Sequence, residues 1–263
     1  MKTITQNNHK SFSVMTINLR FGLAEDGPNN WIYRKKSFRT LFKLHQPDFI
    51  AMQEANDFQI DYFQEILGAY DYIGRRAPAP PGWQDNIIFY KNTWQCRHKE
   101  QFYLSETPSI PSMLPGSKWP RQCILGLFEK EGRSLICAST HFDFEDAVQV
   151  RSAQIILEKL SRFPEELPVI LMGDFNNRPF SNAYLELTSP RKTLPALQEI
   201  FQSHTACTHH AFTGECKGGH IDWILYRGGI KNTNRQVLAE KFEDKYPSDH
   251  FPVLADFQWG QTC

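Results

Sequence analysis

The 263-residue chain has no excess of either charge: Lys and Arg together number 29, and Asp and Glu together number 29. A zero net charge removes any global field drawing the protein to nucleic acid or an anionic membrane, although a local basic groove is still open to it. No apolar run approaches the roughly 20 residues of a membrane-spanning helix. The opening MKTITQNNHKSFSV lacks the apolar core of a signal peptide, so the expected location is the cytoplasm. The six cysteines include no C-x-x-C pair, and a chain of this length buries a core without disulfide staples. Cys96, Cys123 and Cys137 sit in strand-like runs and are expected to be buried free thiols. Cys207, His209, His210, Cys216 and His220 cluster more loosely and read as ordinary loop residues rather than a zinc site. Also missing are G-x-x-x-x-G-K-[ST], G-x-S-x-G and G-x-G-x-x-G. Nucleotide triphosphatase, serine hydrolase and dinucleotide-dependent chemistries therefore lose support.

What is present is an alternation of short apolar, β-branched runs with helical patterns. Strands are predicted at Phe12 to Leu19, Asp48 to Gln53, Tyr70 to Gly74, Asn86 to Tyr90 and Trp94 to Leu104. The second half continues with Gln122 to Glu129, Ser134 to Thr140, Val169 to Met172, Ile221 to Tyr226, Gln236 to Phe242 and Pro252 to Phe257. Helical spacing covers Trp31 to His45, Asp57 to Leu67, Asp146 to Phe163, Asn182 to Leu187 and Leu194 to Phe201. Ser105 to Pro120, with four prolines and a glycine, must be a long surface loop. No linker divides the chain, so one α/β domain over residues 1–263 is expected, with a flexible segment at 1–10. Two stacked sheets covered by helices would accommodate the strands.

Polar residues suited to chemistry recur where strands end. Asn18 and Glu54 end the first two strands, His141 and Asp143 follow the strand at Ser134, and Asp174 and Asn176 follow Val169 to Met172 in the stretch LMGDFNNRP. Ser248, Asp249 and His250 precede the last strand. Taken singly, Glu54 reads as a helix start, Asp249 as a turn residue and Asp174 as a helix cap. Asp222 is different, because an acid between Ile221 and Trp223 in an apolar strand needs a partner when buried, a histidine or a metal. The set is rich in hard oxygen donors, which suit Mg²⁺ or Mn²⁺ bound through few carboxylates plus substrate phosphate.

The ordered segments TINLRF (Thr16 to Phe21), DFIAMQEA (Asp48 to Ala55), STHFD (Ser139 to Asp143), GDFN (Gly173 to Asn176), HIDWIL (His220 to Leu225) and SDHFPV (Ser248 to Val253) resemble the endonuclease/exonuclease/phosphatase family. D-G-x-N-x-W-x-x-R from Asp26 to Arg34, LSETP at Leu104 to Pro108, Pro120-Arg121 and Arg151 resemble a bacterial subgroup of it. The resemblance implies a four-layer α/β sandwich of two packed, mainly antiparallel sheets flanked by helices, with a cleft at one sheet edge. It implies Glu54 as principal metal ligand, with Asn18 and Asp249 near the same metal. Asp174 and Asn176 would orient or deprotonate water, with Asp174 favoured as base over the His250–Asp222 pair. His250 would otherwise bind phosphate, and His141 would stabilise phosphate or protonate the leaving oxygen. The family's acid partner for His141 falls at Gln84 or Asp85 here; with Gln84, Asp143 would be the substitute. Phe144 stands where the subgroup commonly has a second histidine, implying a more apolar pocket.

Arg34, Arg75, Arg76, Arg121, Arg151 and Arg178 are candidate phosphate contacts, Arg121 and Arg151 foremost, and Asn29 joins Arg34 and Trp31 in the motif from Asp26. Trp31, Trp83 and Trp119 are candidate pocket walls. The expected function is a Mg²⁺- or Mn²⁺-dependent phosphoesterase acting on a small or medium phosphorylated molecule. A nuclease acting on DNA or RNA is the alternative, and a non-catalytic binding module of this fold is the third reading. No protein partner is implied.

Overall fold

The computed structural model describes residues 11–191, 195–202 and 206–260. Within them β1 (Ser11–Asn18), α1 (Trp31–Leu44), β2 (Phe49–Ala55), α2 (Asp57–Ile66), β3 (Tyr70–Ile73) and β4 (Asp85–Lys91) form the first half. Next come β5 (Gln95–Tyr103), β6 (Gln122–Lys130), β7 (Arg133–His141), α3 (Asp146–Leu160), β8 (Val169–Asp174) and α4 (Asn182–Thr188). The chain closes with β9 (Gln198–Glu199), β10 (Asp222–Arg227), β11 (Ile230–Val237) and β12 (Val253–Trp259). The expected flexible segment 1–10 lies outside the described residues. None of the described helices is long and apolar enough to cross a membrane.

Strand runs such as Phe49–Met52 and Val169–Met172 are apolar at every position because both faces are covered. Phe49 and Ala51 face the second sheet, while Ile50 and Met52 face α1 and α2. In β8, Ile170 and Met172 face the first sheet, and Val169 and Leu171 pack under α3 and α4. The result is the expected helix–sheet–sheet–helix stack with three apolar seams. Strand order is β11-β12-β1-β2-β4-β3 in one sheet and β5-β6-β7-β8-β10-β9 in the other. Each sheet is antiparallel except for one parallel pair, β1 with β2 and β7 with β8. Those pairs are joined by α1 and α3, the crossovers that parallel strands require.

This topology gathers one set of strand ends. β1, β2, β7 and β8 all finish at the same edge of the sandwich. Their antiparallel neighbours start there, so Asp222 pairs with Asp174, Asp85 with Ala55, and Cys123 with Thr140. Val253 pairs with Thr16, which brings Ser248, Asp249 and His250 to the end of β1.

Two predicted elements are corrected. Leu194 to Phe201 is not helical where described: Gln198–Glu199 pairs with Tyr226 and Leu225 at the sheet edge. Leu197 and Ile200 have helical spacing but enter opposite apolar seams. The strand predicted at Gln236 to Phe242 instead runs from Ile230 to Val237. Its IKNTNR segment lies on an open edge with mostly exposed side chains and so lacks apolar alternation. Leu238 and Phe242 are apolar because they pack into the seam under α1. A short 3₁₀ turn at Gly27–Asn29, with Pro28 in its first turn, precedes α1.

Gly173, at the turning point of LMGDFNNRP, has φ +152, and a Cβ there would stand 2.0 Å from the Thr140 carbonyl oxygen. Backbone on neighbouring β7 leaves no room to relieve the clash. Gly173→Ala is expected to cost at least about 2 kcal/mol of stability, read from urea denaturation. An unchanged midpoint would contradict the packing described.

Candidate active site

Glu54 lies at a bulge in the β2–β4 pairing between Met52 and Ala55, with φ +61. The bulge breaks strand alternation and turns the carboxylate into the cleft. Glu54 Oε2 accepts the Phe21 N–H at 2.6 Å, and Oε1 accepts from Asn18 Nδ2 at 3.1 Å. Asn18 Nδ2 also donates to Asp174 Oδ2 at 2.9 Å, while Asn18 Oδ1 accepts the Arg20 N–H at 2.8 Å. That last bond fixes the amide orientation. Asn18 thus presents its nitrogen to both carboxylates and sits beside Glu54, the position expected for it from the sequence.

Asp174 is buried, and Oδ1 accepts the Asn176 N–H at 2.8 Å. Burial, followed by the charge of neighbouring Asp222, pushes its carboxyl up to about 7. His250 has the opposite balance: burial lowers its affinity for a proton, but Asp222 and then Asp174 and Asp249 outweigh it and push the imidazole up to about 10. Its Nδ1 donates to Asp222 Oδ2 at 2.8 Å, and its Nε2 lies 3.9 Å from Asp174 Oδ2. The histidine that Asp222 required in the sequence is thus His250.

His141 is held neutral by burial and by the charges of Arg121 and His250, which lower its pKa well below the usual 6.5. Asn176, in the left-handed region at φ +49, donates Nδ2 both to the Phe142 carbonyl at 2.9 Å and to His141 Nε2 at 3.0 Å. Because the carbonyl only accepts, the amide nitrogen is the group facing the ring. His141 Nε2 is an acceptor and the ring proton sits on Nδ1. The 3.5 Å approach of Asp174 Oδ2 to Nε2 is consequently not an ion pair.

Neither Gln84 nor Asp85 partners His141. Asp85 accepts the Arg76 N–H at 3.0 Å and Trp83 Nε1 at 2.7 Å, and Gln84 lines the cleft. Asp143 does not substitute. It is buried and receives the N–H groups of Lys118 and Trp119, both at 3.0 Å, and of Phe144 at 2.8 Å. Its Oδ2 also lies 3.7 Å from Arg121 Nε. Asp143 thereby pins the long loop to the end of β7 and sets Arg121 and Trp119 in the cleft wall.

The cleft encloses about 470 Å³, with Glu54, His141, Arg20 and Arg121 as polar lining and Phe21, Trp83, Trp119 and Phe144 among its walls. Phe144 and the two tryptophans behave as the sequence implied. Trp31 does not: its ring packs on Phe38, Phe58, Tyr62 and Phe63. Arg34 is also a correction, being 1% exposed and donating to the carbonyls of Leu19, Arg20, Asn29 and Pro247. Asn29 contributes its carbonyl to that bracket. Arg151 is tied to Glu106 and Glu158 on the surface, Arg75 to Asp57 and Asp61. Arg76 lies over the Trp83 ring at 4.4 Å, and Arg178 donates to the Gly218 carbonyl at 3.4 Å. Arg20 was not singled out, although it closes on Asp26 at 2.8 Å and approaches Asp249 at 3.7 Å. Its place two residues beyond Asn18 in TINLRF was the available signal.

Cys207 and Cys216 form a disulfide, a pairing outside the sequence reading, while Cys96, Cys123 and Cys137 are free. Glu54 and Asp249 offer hard carboxylate oxygens, both act electrostatically on Arg20, and Glu54 opens on the cleft. That donor chemistry fits a small divalent cation with retained waters.

Residues 15–250 match the sequence profile described as the Endonuclease/Exonuclease/phosphatase family. A mannosyl-6-phosphatase of Bacteroides thetaiotaomicron is 26% identical, superposing with TM-score 0.86 over 94% of this chain and 100% of that one. An endonuclease/exonuclease/phosphatase family protein of the same organism, also 26% identical, gives 0.85 over 95% and 98%. Human Nocturnin is 25% identical over 299 aligned positions, covering 99% of this chain and 68% of that protein.

Two outcomes follow from the geometry. Asp143→Ala removes an acceptor for three backbone N–H groups, so protease cleavage within 105–120 should accelerate and stability fall by about 1–3 kcal/mol; cleavage at the wild-type rate would contradict the pinning role. His210, stacked on Phe251 with ring centroids 3.7 Å apart, is pushed by burial from 6.5 down to about 4. Between those values the unfolded chain binds the proton that the fold refuses, so stability falls as pH drops through that window. His210→Phe should flatten that dependence in urea midpoints measured across it.

Proposed function

Because the chain belongs to the endonuclease/exonuclease/phosphatase family, whose members hydrolyse phosphoesters, we propose that it is a Mg²⁺- or Mn²⁺-dependent phosphoesterase acting on a small phosphorylated molecule. A sugar phosphate is the first candidate substrate. The observation that carries this reading is the convergence at one sheet edge of Glu54 and Asp174, bridged by Asn18, with the His141 and His250 imidazoles 3.5 and 3.9 Å from Asp174 Oδ2.

Glu54 and Asp249 would hold the cation, which when bound supplies positive charge to the phosphoryl oxygens. Asp174 accepts one hydrogen bond at each oxygen, which leaves lone pairs to receive a proton from the attacking water. A base near 7 suits that transfer at neutral pH. Asn176 holds Asp174 through its N–H and His141 through its amide, fixing base and donor in one frame. His250 keeps its proton and acts as a cation toward phosphoryl oxygens, not as the base. His141, neutral and in the cleft lining beside Asp174, is placed to hydrogen-bond with phosphate or the leaving oxygen.

The likeness to a mannosyl-6-phosphatase supports a sugar leaving group, and Trp83, Trp119 and Phe144 are flat apolar surfaces suited to a pyranose face. The zero net charge supports a small substrate over long nucleic acid.

The deciding assay compares hexose 6-phosphates, p-nitrophenyl phosphate, bis-p-nitrophenyl phosphate and plasmid DNA, each with Mg²⁺, Mn²⁺ or EDTA. Hydrolysis of the small esters is expected with metal only. Asp174→Asn should lower kcat roughly 10²- to 10⁴-fold without unfolding the protein. Glu54→Gln should demand at least about tenfold more Mg²⁺. Plasmid nicking that Asp174→Asn abolishes would make the protein a nuclease, and wild-type turnover by Asp174→Asn would remove the assigned base.

A further inference from the structure

The loop at 206–220 carries a histidine that the phosphoester chemistry does not use. It lies along the segment before β12: His210 and Ala211 N–H groups donate to the Asp249 carbonyl at 2.9 and 3.1 Å, and the Phe251 N–H donates to the Thr208 carbonyl at 2.7 Å. This pairing sets the His209 ring edge-on to His250, with centroids 4.7 Å apart. One ligand-type atom from each of His209, Asp249 and His250 lies within 4.8 Å of the other two. His250 already donates Nδ1–H to Asp222. A carboxylate in that position fixes the ring and leaves Nε2 as the ligand atom. His209 is half-buried, which leaves the group reachable from solvent.

Two imidazole nitrogens and one carboxylate oxygen, with a fourth position for water, select a borderline transition metal. The carboxylate chemistry at Glu54 selects a hard cation instead. We propose that His209, Asp249 and His250 form a second metal site that takes Zn²⁺, and that filling it shuts the phosphoester site. An ion seated on His250 Nε2 takes that nitrogen away from phosphate. It also draws Asp249 away from the cation held at Glu54. The inhibitory effect rests on the function proposed above, whereas the binding site does not.

Co²⁺ serves as a visible probe in Zn²⁺'s place. Metal-free wild type, His209→Ala, His209→Phe and Glu54→Gln are titrated with Co²⁺ while the visible absorption of a low-coordinate Co²⁺ centre is recorded, and Zn²⁺ is then added to displace it. His209→Phe keeps a ring against His250 and guards against a folding artefact. Wild type and Glu54→Gln should develop the same band, and both His209 variants should bind at least about tenfold more weakly. In Mg²⁺-driven turnover Zn²⁺ should inhibit wild type, with the midpoint raised by a similar factor in His209→Phe. A band that survives both His209 variants, or that Glu54→Gln abolishes, overturns the site. Zn²⁺ binding without inhibition overturns its effect on turnover. Absence of any phosphoester turnover refutes the proposed function, and the Co²⁺ titration still decides the site.

Discussion

The side-chain amide of Asn18 joins the two sheets at the point where chemistry collects. It ends β1 in one sheet, donates to Glu54 in that sheet, and donates to Asp174 at the end of β8 in the other. Gln53 repeats the cross-sheet link by donating to Ser139 at 3.1 Å, and Asn86 by donating to the Gln122 carbonyl at 2.8 Å. Most of the remaining contact between the sheets is made by apolar side chains, which tolerate small slips. A buried polar seam does not, because each unsatisfied group costs about 1–3 kcal/mol. Register between the sheets is therefore tightest at the cleft, and Glu54, Asp174 and His141 inherit that precision through one another.

The same seam separates the proton affinities of its members. Asp174, His141 and His250 are all buried, yet burial acts on each with a different counterweight. His250 has a carboxylate against Nδ1 and stays charged. His141 has an amide donor against Nε2 and cations nearby, and it is neutral. Asp174 has Asp222 close by and only neutral donors on its oxygens, so it rises. Three different proton affinities thus arise around one carboxylate, with the two imidazoles 3.5 and 3.9 Å from Asp174 Oδ2 and no unusual side chain involved.

Much of this was legible because strand ends leave a local mark. Asp222 in HIDWIL stood out as an acid in an apolar strand, and its partner proved to be His250. The run of prolines between Ser105 and Pro120 announced a loop for the same local reason. The misread elements fail where the decision is made at long range. Arg34 looks like any exposed arginine until four carbonyls from three segments close on it. Leu197 and Ile200 keep helical spacing by coincidence, since a sheet edge lets neighbouring residues face two seams. Asp143 sits in STHFD, where nothing in the sequence says whether its carboxylate turns toward His141 or toward the loop before Arg121.

That choice at Asp143 separates reaction from recognition. Had the carboxylate backed His141, it would have held a charged ring, and the cleft wall would have lost its anchor. Turned the other way, it leaves His141 with a neutral amide partner and spends its charge on the N–H groups of Lys118 and Trp119 and on Arg121. Arg121 turns its buried Nε toward Asp143 at 3.7 Å and lines the cleft. The groups on strand ends are held by the register of the sheets. The 105–120 loop is held by Asp143, by Arg151 on Glu106 and by buried Leu114, and with Arg121 it forms the aromatic and cationic wall of the cleft. Substitutions in that loop therefore alter the wall of the cleft without disturbing the groups on the strand ends.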